Sequence, residues 1–177
     1  MSVIYALATP PAKSAICVFR VSGESCLDSF KEFFSSLPKK ERFFYLKNFY
    51  FDGRLVDRVG VVCFKGPKSY TGEDCVEIYA HGGLAVIKEI INAFKSVGFD
   101  EAGPGEFTKR AFLNDKLSLN EAESVLDLVN ASTKEEAYMS AAALSGRLSS
   151  ELGAFSEEIN NLRLRVEGEI DLSLIHI

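Results

Sequence analysis

FFYLKNFYF, at residues 43–51, and LVDRVGVVCF, at residues 55–64, decide the fold of this chain. Both runs are rich in aromatic and β-branched side chains, which favour strands. The Asp52-Gly53 pair between them is typical of a hairpin turn. A third run of the same kind, DCVEIYA at residues 74–80, follows the breaker Gly66-Pro67. Together the three runs predict an antiparallel sheet.

Two further strands and two helices are predicted around this sheet. Residues 3–8 and 15–22 are rich in strand-forming side chains, and the paired prolines between them exclude a helix there. Amphipathic spacing predicts one helix that opens at Gly23 and stops before Pro38, and a second over residues 83–97. These elements predict an α+β domain, with a mixed or antiparallel sheet and packed helices.

Two helix starts are marked by Ser/Thr-x-x-Glu capping boxes after residue 117. In this motif the side chains of both end residues bond to backbone amides that a helix start leaves unpaired. One box runs from Ser118 to Glu121, and the other runs from Ser132 to Glu135. We therefore expect two helices to begin at these positions.

A long apolar seam follows the second capping box. Large apolar residues recur at steps of three and four from Leu144 to Ile170, which predicts one helix with an apolar face. Gly146 and Gly153 lie within this seam. We expect packing to outweigh the loss of helix propensity, which is about 1 kcal/mol for each glycine.

The predicted elements divide the chain into a mixed domain over residues 1–117 and the beginning of an all-helical domain over residues 118–171. Residues 172–177, LSLIHI, break the charged outer pattern of the last helix. The codons CTG TCT CTT ATA CAC ATC would encode them, and those codons are the end of a transposon adaptor used to prepare DNA for sequencing. We therefore expect native sequence to end at Asp171 and the rest to be a non-native tail, with a natural helix end as the alternative.

The composition excludes several classes of protein. Hydrophobic residues make up 47% and charged residues 25% of the chain, which permits a packed core. The net charge of −5 argues against a nucleic-acid-binding surface here. Two histidines exclude a His-rich metal site, and the four cysteines, none in a Cys-x-x-Cys pair, are expected to be reduced and structural. Without a signal peptide or a long apolar run, no membrane contact and a cytoplasmic location are expected.

Four groups of motifs carry a family resemblance. They are ATPP with RVSG, YTGED with HGG, GPGEFTKRAFLNDKLSLNEAE, and DLVNAS, which occupy residues 8–11 and 20–23, 70–74 and 81–83, 103–123, and 127–132. In this order and at these separations they resemble the start of the MnmE (TrmE) family of tRNA modification GTPases, over about residues 3–171. The run at residues 103–116 is the most specific of them.

The resemblance implies a first domain with the tetrahydrofolate-binding fold of the glycine-cleavage aminomethyltransferase, which forms a homodimer. The family enzyme works with MnmG to attach a carboxymethylaminomethyl or aminomethyl group to the wobble uridine of tRNA. A reduced folate, such as 5-formyltetrahydrofolate, supplies a one-carbon unit. GTP, Mg and potassium belong to a G domain that would follow this chain. Since no Gly-x-x-x-x-Gly-Lys-Ser/Thr phosphate loop occurs here, we expect no GTP hydrolysis by this chain and expect tRNA contacts mainly elsewhere.

The same resemblance places the family's folate contacts on Arg20, Glu77 and Lys116. Arg20 ends an apolar run, where a buried guanidinium needs a carboxylate or an anionic ligand, and an edge-strand arginine reaching solvent is the alternative. Glu77 alternates with apolar neighbours, so a plain solvated strand face is the alternative there. For Lys116 the alternative is an ordinary loop lysine. No catalytic residue is predicted, and His81 is interpreted as structural.

Three functions stay open from the sequence. The first is the one-carbon-donor domain of a tRNA-modifying GTPase. The second is a stand-alone folate-binding or dimerisation module without catalysis, and the third is an aminomethyltransferase that acts on a protein-bound substrate. A phosphate loop in the adjacent coding sequence would favour the first.

Overall fold

The computed structural model describes residues 2–36, 38 and 40–175 of the chain, with side chains omitted at 147–149 and 171–175. The chain divides into two compact units, Met1–Lys116 and Leu117–Ile177. Of the expected non-native tail, residues 172–175 continue the last helix, and residues 176–177 lie outside the described part. The origin of this tail stays a prediction.

The first unit is built on a sheet whose strands lie in the order β3-β4-β5-β2-β1-β6. Neighbouring strands are antiparallel except β1 and β6, which are parallel. This arrangement confirms the predicted α+β class with a mixed sheet. The short β6 was not predicted, because two residues are too few to show a periodic pattern. The strands are β1 Ile4–Leu7, β2 Ser14–Ser22, β3 Tyr45–Phe51, β4 Arg54–Phe64, β5 Cys75–Gly82 and β6 Asp100–Glu101.

Three helices and a 3₁₀ turn complete the part of the first unit that the structure describes. They are α1 Cys26–Ser29, the turn Phe30–Glu32, α2 Leu84–Ser96 and α3 Glu106–Leu113. The second predicted helix is confirmed as α2. The first is much shorter than predicted, because the chain tightens into a 3₁₀ turn that places three phenylalanine rings, Phe30, Phe33 and Phe34, in the core. Helix α3 was not predicted as a helix.

One face of the sheet and helix α2 enclose an aromatic core. The Phe94 ring of α2 lies 5.2 Å from the Tyr5 ring and 5.7 Å from the Phe19 ring, measured between centroids. All four cysteines are buried and form no disulfide, as expected for structural thiols. Burial raises the pKa of the Cys63 thiol to about 11, so that thiol stays protonated and unreactive near neutral pH.

The second unit is helical over its described residues, with α4 Leu119–Asn130, α5 Lys134–Leu144 and α6 Arg147–Ile175. The capping box of Ser118 and Glu121 is confirmed at the start of α4. The second box was predicted one residue too early. Thr133, not Ser132, is the N-cap of α5, because the Thr133 backbone is the extended one (ψ 161°) and its hydroxyl accepts the N–H of Glu136.

The prediction of one long helix through Leu144 was wrong. Helix α5 ends at Leu144, and Gly146 adopts a left-handed φ of 77°, which only glycine takes without a steric penalty. The Gly146 N–H donates to the Ala143 carbonyl at 3.1 Å and closes this turn. Gly153, by contrast, lies inside α6, where the helix continues as predicted.

The apolar face of α6 is exposed within its unit. Its large side chains, each between 54% and 66% exposed, are Leu152, Phe155, Ile159, Leu162, Val166 and Ile170. In the described part of the chain no helix is long and apolar enough to cross a membrane. Six large apolar side chains exposed along one helix face are more than a helix surface in contact with solvent usually carries. Exposed apolar patches of this kind are typical of interaction surfaces.

We predict that the chain self-associates through this face of α6. A chain ending at Ser145 should sediment as a smaller species and stay soluble at higher concentration, because the apolar face is removed at a natural helix boundary. Analytical ultracentrifugation of the two chains at matched concentrations is the measurement. Equal sedimentation and equal solubility of the two chains would contradict the prediction.

Candidate functional site

Arg20 and Glu77 face each other on the two central strands of the sheet. They are directly paired residues of β2 and β5. Their neighbours Phe19 and Ile78 are fully buried in the aromatic core, so the alternation of a strand places Arg20 and Glu77 on the opposite face. Because β2 lies between β5 and β1, Arg20 is not the edge-strand arginine that the sequence left as an alternative.

The two side chains form a directed ion pair. Arg20 Nε and Nη2 both donate to Glu77 Oε1, at 3.0 and 2.7 Å. The Tyr79 hydroxyl donates to the other oxygen, Glu77 Oε2, at 2.8 Å. The Glu77 side chain is only 16% exposed, so it is not part of a plain solvated face. Its carboxylate is held in one orientation by donors on both oxygens.

The hydrogen bond to Glu77 also raises the pKa of Tyr79, and partial burial adds to that shift. A phenol that is harder to ionise stays a donor throughout the neutral range. Tyr79 therefore remains a hydrogen-bond donor to Glu77 Oε2 at neutral pH.

Aromatic rings flank the ion pair on two sides. The guanidinium carbon of Arg20 lies 5.3 Å from the ring centroid of Tyr70 and 5.9 Å from that of Phe107, within the range of cation–π attraction. On the other side, the Phe44 ring lies 5.6 Å from the Tyr79 ring. The charged pair is thus partly buried beside aromatic rings, where its interactions are stronger than in open solvent.

Lys116, the third predicted site residue, does not join this pair directly. Its backbone N–H donates to the Ala111 carbonyl at 2.8 Å, which closes the turn after α3. Its side-chain carbons lie against Gly72, where a Cβ would come within 3.3 Å of Lys116 Cγ. Gly72 also has a left-handed φ of 80°. The structure therefore links Lys116 to the site through the Tyr70–Gly72 segment.

A buried arginine that sequence reasoning missed fixes that segment. The Arg110 side chain is 6% exposed, and its Nη1 donates to the Ser2 carbonyl at 2.8 Å and to Glu73 Oε2 at 3.1 Å. Its Nη2 donates to Glu106 Oε1 at 3.3 Å. Glu73 also accepts the Ser22 hydroxyl at 2.8 Å. Arg110 thus joins helix α3, the chain start, strand β2 and the loop before β5.

The sequence shows only part of the pattern that would predict these Arg110 contacts. Glu106 and Arg110 are four residues apart on one helix, a spacing that pairs charges on an exposed helix as readily as on a buried one. The decisive partner, Glu73, is 37 residues away in sequence. No local pattern connects residues at that separation.

His81 has a structural partner on the adjacent strand. Its Nδ1 lies 2.8 Å from Asp57 Oδ1, and its backbone N–H donates to Asp57 Oδ2 at 2.8 Å. The Asp57 side chain is largely buried while that of His81 is exposed. The pair ties β4 to β5, which agrees with the structural interpretation of His81.

We predict that Arg110→Ala lowers the free energy of unfolding by about 3–5 kcal/mol, because it leaves the buried carboxylate of Glu73 without its counter-charge. Arg20→Ala is the matched control, and it should cost only about 1–2 kcal/mol because Arg20 is one-third exposed. Urea unfolding of both variants followed by circular dichroism gives the comparison. Equal losses for the two arginines would show that Arg110 is not the structural anchor.

Comparison with known proteins gives consistent matches. Residues 3–116 match the family model described as GTP-binding protein TrmE N-terminus. The tRNA modification GTPase MnmE of Ehrlichia canis is 40% identical over 174 residues, which cover 97% of this chain and 39% of that protein. The protein of the same name from Neorickettsia sennetsu is 37% identical over 97% of this chain and 31% of its own length. The protein of the same name from Francisella tularensis subsp. novicida is 42% identical over 95% of this chain and 37% of its own length.

These alignments bear on length as well as on family. The chain spans between 31% and 39% of the three curated relatives, so most of each relative has no counterpart in it. The activity in their names belongs to proteins more than twice as long as the part that this chain matches.

Proposed function

Because the chain belongs to the family described as GTP-binding protein TrmE N-terminus, as its motifs predicted, we propose that it is the folate-binding and dimer-forming part of a tRNA modification GTPase. In that protein a reduced folate such as 5-formyltetrahydrofolate donates a one-carbon unit. The enzyme works with MnmG at the wobble uridine of tRNA. A cytoplasmic location stays a prediction.

We propose that GTP hydrolysis, which uses Mg²⁺ and K⁺, takes place in a part of the protein outside this chain. The chain has no phosphate loop in its sequence, and its net charge of −5 favours tRNA contacts elsewhere. A stand-alone folate module would use the same site. The names of the relatives favour the GTPase, and a phosphate loop in adjacent coding sequence would separate the two.

One observation carries the proposal, namely the half-buried Glu77 carboxylate held between aromatic rings by Arg20 and Tyr79. A pterin presents a 2-amino group and a ring N–H side by side, and two such donors suit the two oxygens of one carboxylate. Its planar pyrimidine ring suits an aromatic wall. The residues present therefore fit a reduced folate.

The hydrogen-bond count at Glu77 gives Arg20 a second role. A carboxylate offers about four lone-pair positions, of which Arg20 occupies two at Oε1 and Tyr79 occupies one at Oε2. A ligand that brings two donors needs two positions. Arg20 must therefore release one of its bonds, and the released N–H can meet an oxygen of the ligand.

Lys116 supplies a second positive charge on the adjacent segment. The folate tail carries carboxylates and the formyl group carries a carbonyl oxygen, so both cations have acceptors to meet.

We predict that Glu77→Gln weakens binding of 5-formyltetrahydrofolate by roughly ten- to a hundredfold. A hydrogen bond to a charged group contributes about 1.5–3 kcal/mol. The amide of the introduced Gln accepts hydrogen bonds only at its oxygen, whereas the carboxylate accepts them at both oxygens. Arg20→Lys should also weaken binding, because an ammonium cannot reproduce the planar fork of donors. Isothermal titration calorimetry is the measurement.

The matched control for this experiment is Glu101→Gln, which neutralises an exposed carboxylate on β6 and should leave affinity unchanged. Each variant is first checked for an unchanged oligomeric state, because the family places this site beside the dimer interface. Wild-type affinity in a folded, dimeric Glu77→Gln variant would refute the role of Glu77.

We predict separately that residues 1–145 form a dimer without nucleotide. Strand β3 is an edge of the sheet, and edge strands offer unpaired backbone groups to a second chain. Leu46 on β3 is 59% exposed, so Leu46→Arg should weaken the dimer, whereas Leu84→Arg, at a 60% exposed position on α2, should not. Light scattering at tens of micromolar protein is the measurement, and a monomeric parent chain would contradict the prediction.

A further inference from the structure

The ring of Phe44 lies beside the Glu77 site without being part of the core. It is 58% exposed, and its centroid lies 5.6 Å from that of Tyr79 with the ring planes tilted by 53°. The Tyr79 hydroxyl in turn donates to Glu77. The exposed Phe44 ring and the Glu77 carboxylate are thus both connected to one side chain.

Gly60 makes this position of Phe44 possible. It is the strand partner of Tyr79, and a Cβ at Gly60 would lie only 2.0 Å from Phe44 Cζ. The ring therefore rests on bare backbone of β4, and any side chain at residue 60 would push it off the sheet. This close approach is the reason for a glycine within the strand.

The segment that carries Phe44 is fixed to the sheet just before it. The Arg42 N–H donates to the Cys63 carbonyl at 2.9 Å, and Arg42 adopts a left-handed φ of 61°. The Arg42 guanidinium also bonds to the Lys68 carbonyl and lies 6.0 Å from the Phe64 ring centroid. Phe44 is therefore held at the site by its own backbone and not by a hydrophobic core.

We propose, on the premise of the folate site above, that Phe44 backed by Tyr79 is the wall against which the pterin ring stacks. The other two rings at the site, Tyr70 and Phe107, already face the Arg20 guanidinium. Phe44 is 58% exposed, against 38% for Tyr70, and it is joined through Tyr79 to the carboxylate that would take the polar edge of the pterin. A ring that stacks there would meet the face of Phe44 and the edge-binding Glu77 together.

The first test is Phe44→Ala, titrated with 5-formyltetrahydrofolate and with a reduced pterin that lacks the aminobenzoylglutamate tail. Both ligands should bind about three- to tenfold more weakly, the size expected for loss of one aromatic contact. Phe43→Ala is the matched control. Phe43 is the neighbouring aromatic residue, 52% exposed, but its ring lies against the Lys40 ammonium, 4.4 Å from the ring centroid, so both affinities should stay unchanged.

Gly60→Ala is an independent second variant. It keeps the Phe44 ring in the chain but displaces it from the sheet, which is cheap because the ring is exposed. The same three- to tenfold loss is expected for both ligands. Agreement between the two variants would exclude a general effect of removing an aromatic residue.

Three results would overturn the wall assignment. The first is wild-type affinity for the reduced pterin in both variants, and the second is weaker binding of the full folate alone, which would place Phe44 against the tail. The third is a monomeric Phe44→Ala beside a dimeric Phe43→Ala, which would make Phe44 a subunit contact. A parent chain that binds neither ligand would instead refute the proposed function. If Glu77→Gln lost binding while Phe44→Ala and Gly60→Ala kept wild-type affinity, only the role of Phe44 would be refuted.

Discussion

The buried guanidinium of Arg110 is the interaction on which the rest of the site depends. A charge with so little exposure must be fully paired, and Arg110 finds its partners in the Ser2 carbonyl, Glu73 and Glu106. These partners come from three separate stretches of the chain. Satisfying one side chain therefore fixes helix α3 and the loop before β5 in a single arrangement, which places Phe107 and Tyr70 over the Arg20 guanidinium.

The two arginines differ in their degree of burial, and we propose a structural role for Arg110 and a binding role for Arg20. Arg110 is enclosed and has a carboxylate on each side, whereas Arg20 is one-third exposed and shares a single carboxylate oxygen. The bonds from Arg20 and Tyr79 hold the half-buried Glu77 carboxylate in one orientation. Apart from the release of one Arg20 bond, such a preformed site would need little reorganisation on binding, which favours affinity for a small ligand.

Local pattern predicted the parts of the fold that local physics determines. Strands β1 to β5, helix α2 and the cap of Ser118 follow from periodicity and hydrogen-bonding chemistry within a few residues. At Gly146 a propensity argument failed because the left-handed turn ends the helix outright. The Arg110–Glu73 pair and the seat of Phe44 on Gly60 could not be predicted, because each joins residues that only the folded sheet brings together. The choice of Arg20 and Glu77 came from family resemblance, and alternation along β5 alone favoured a solvated face for Glu77.

In the proposed site the Glu77 carboxylate, held by Arg20 and Tyr79, recognises the pterin edge of a reduced folate. A crystal structure of the chain grown with 5-formyltetrahydrofolate is the decisive measurement. We expect the pterin 2-amino group and ring N–H to lie within hydrogen-bond distance of the two Glu77 oxygens, with one Arg20 bond to Glu77 released. A folate bound elsewhere, with both Arg20 bonds to Glu77 intact, would show that Glu77 is not the recognition group.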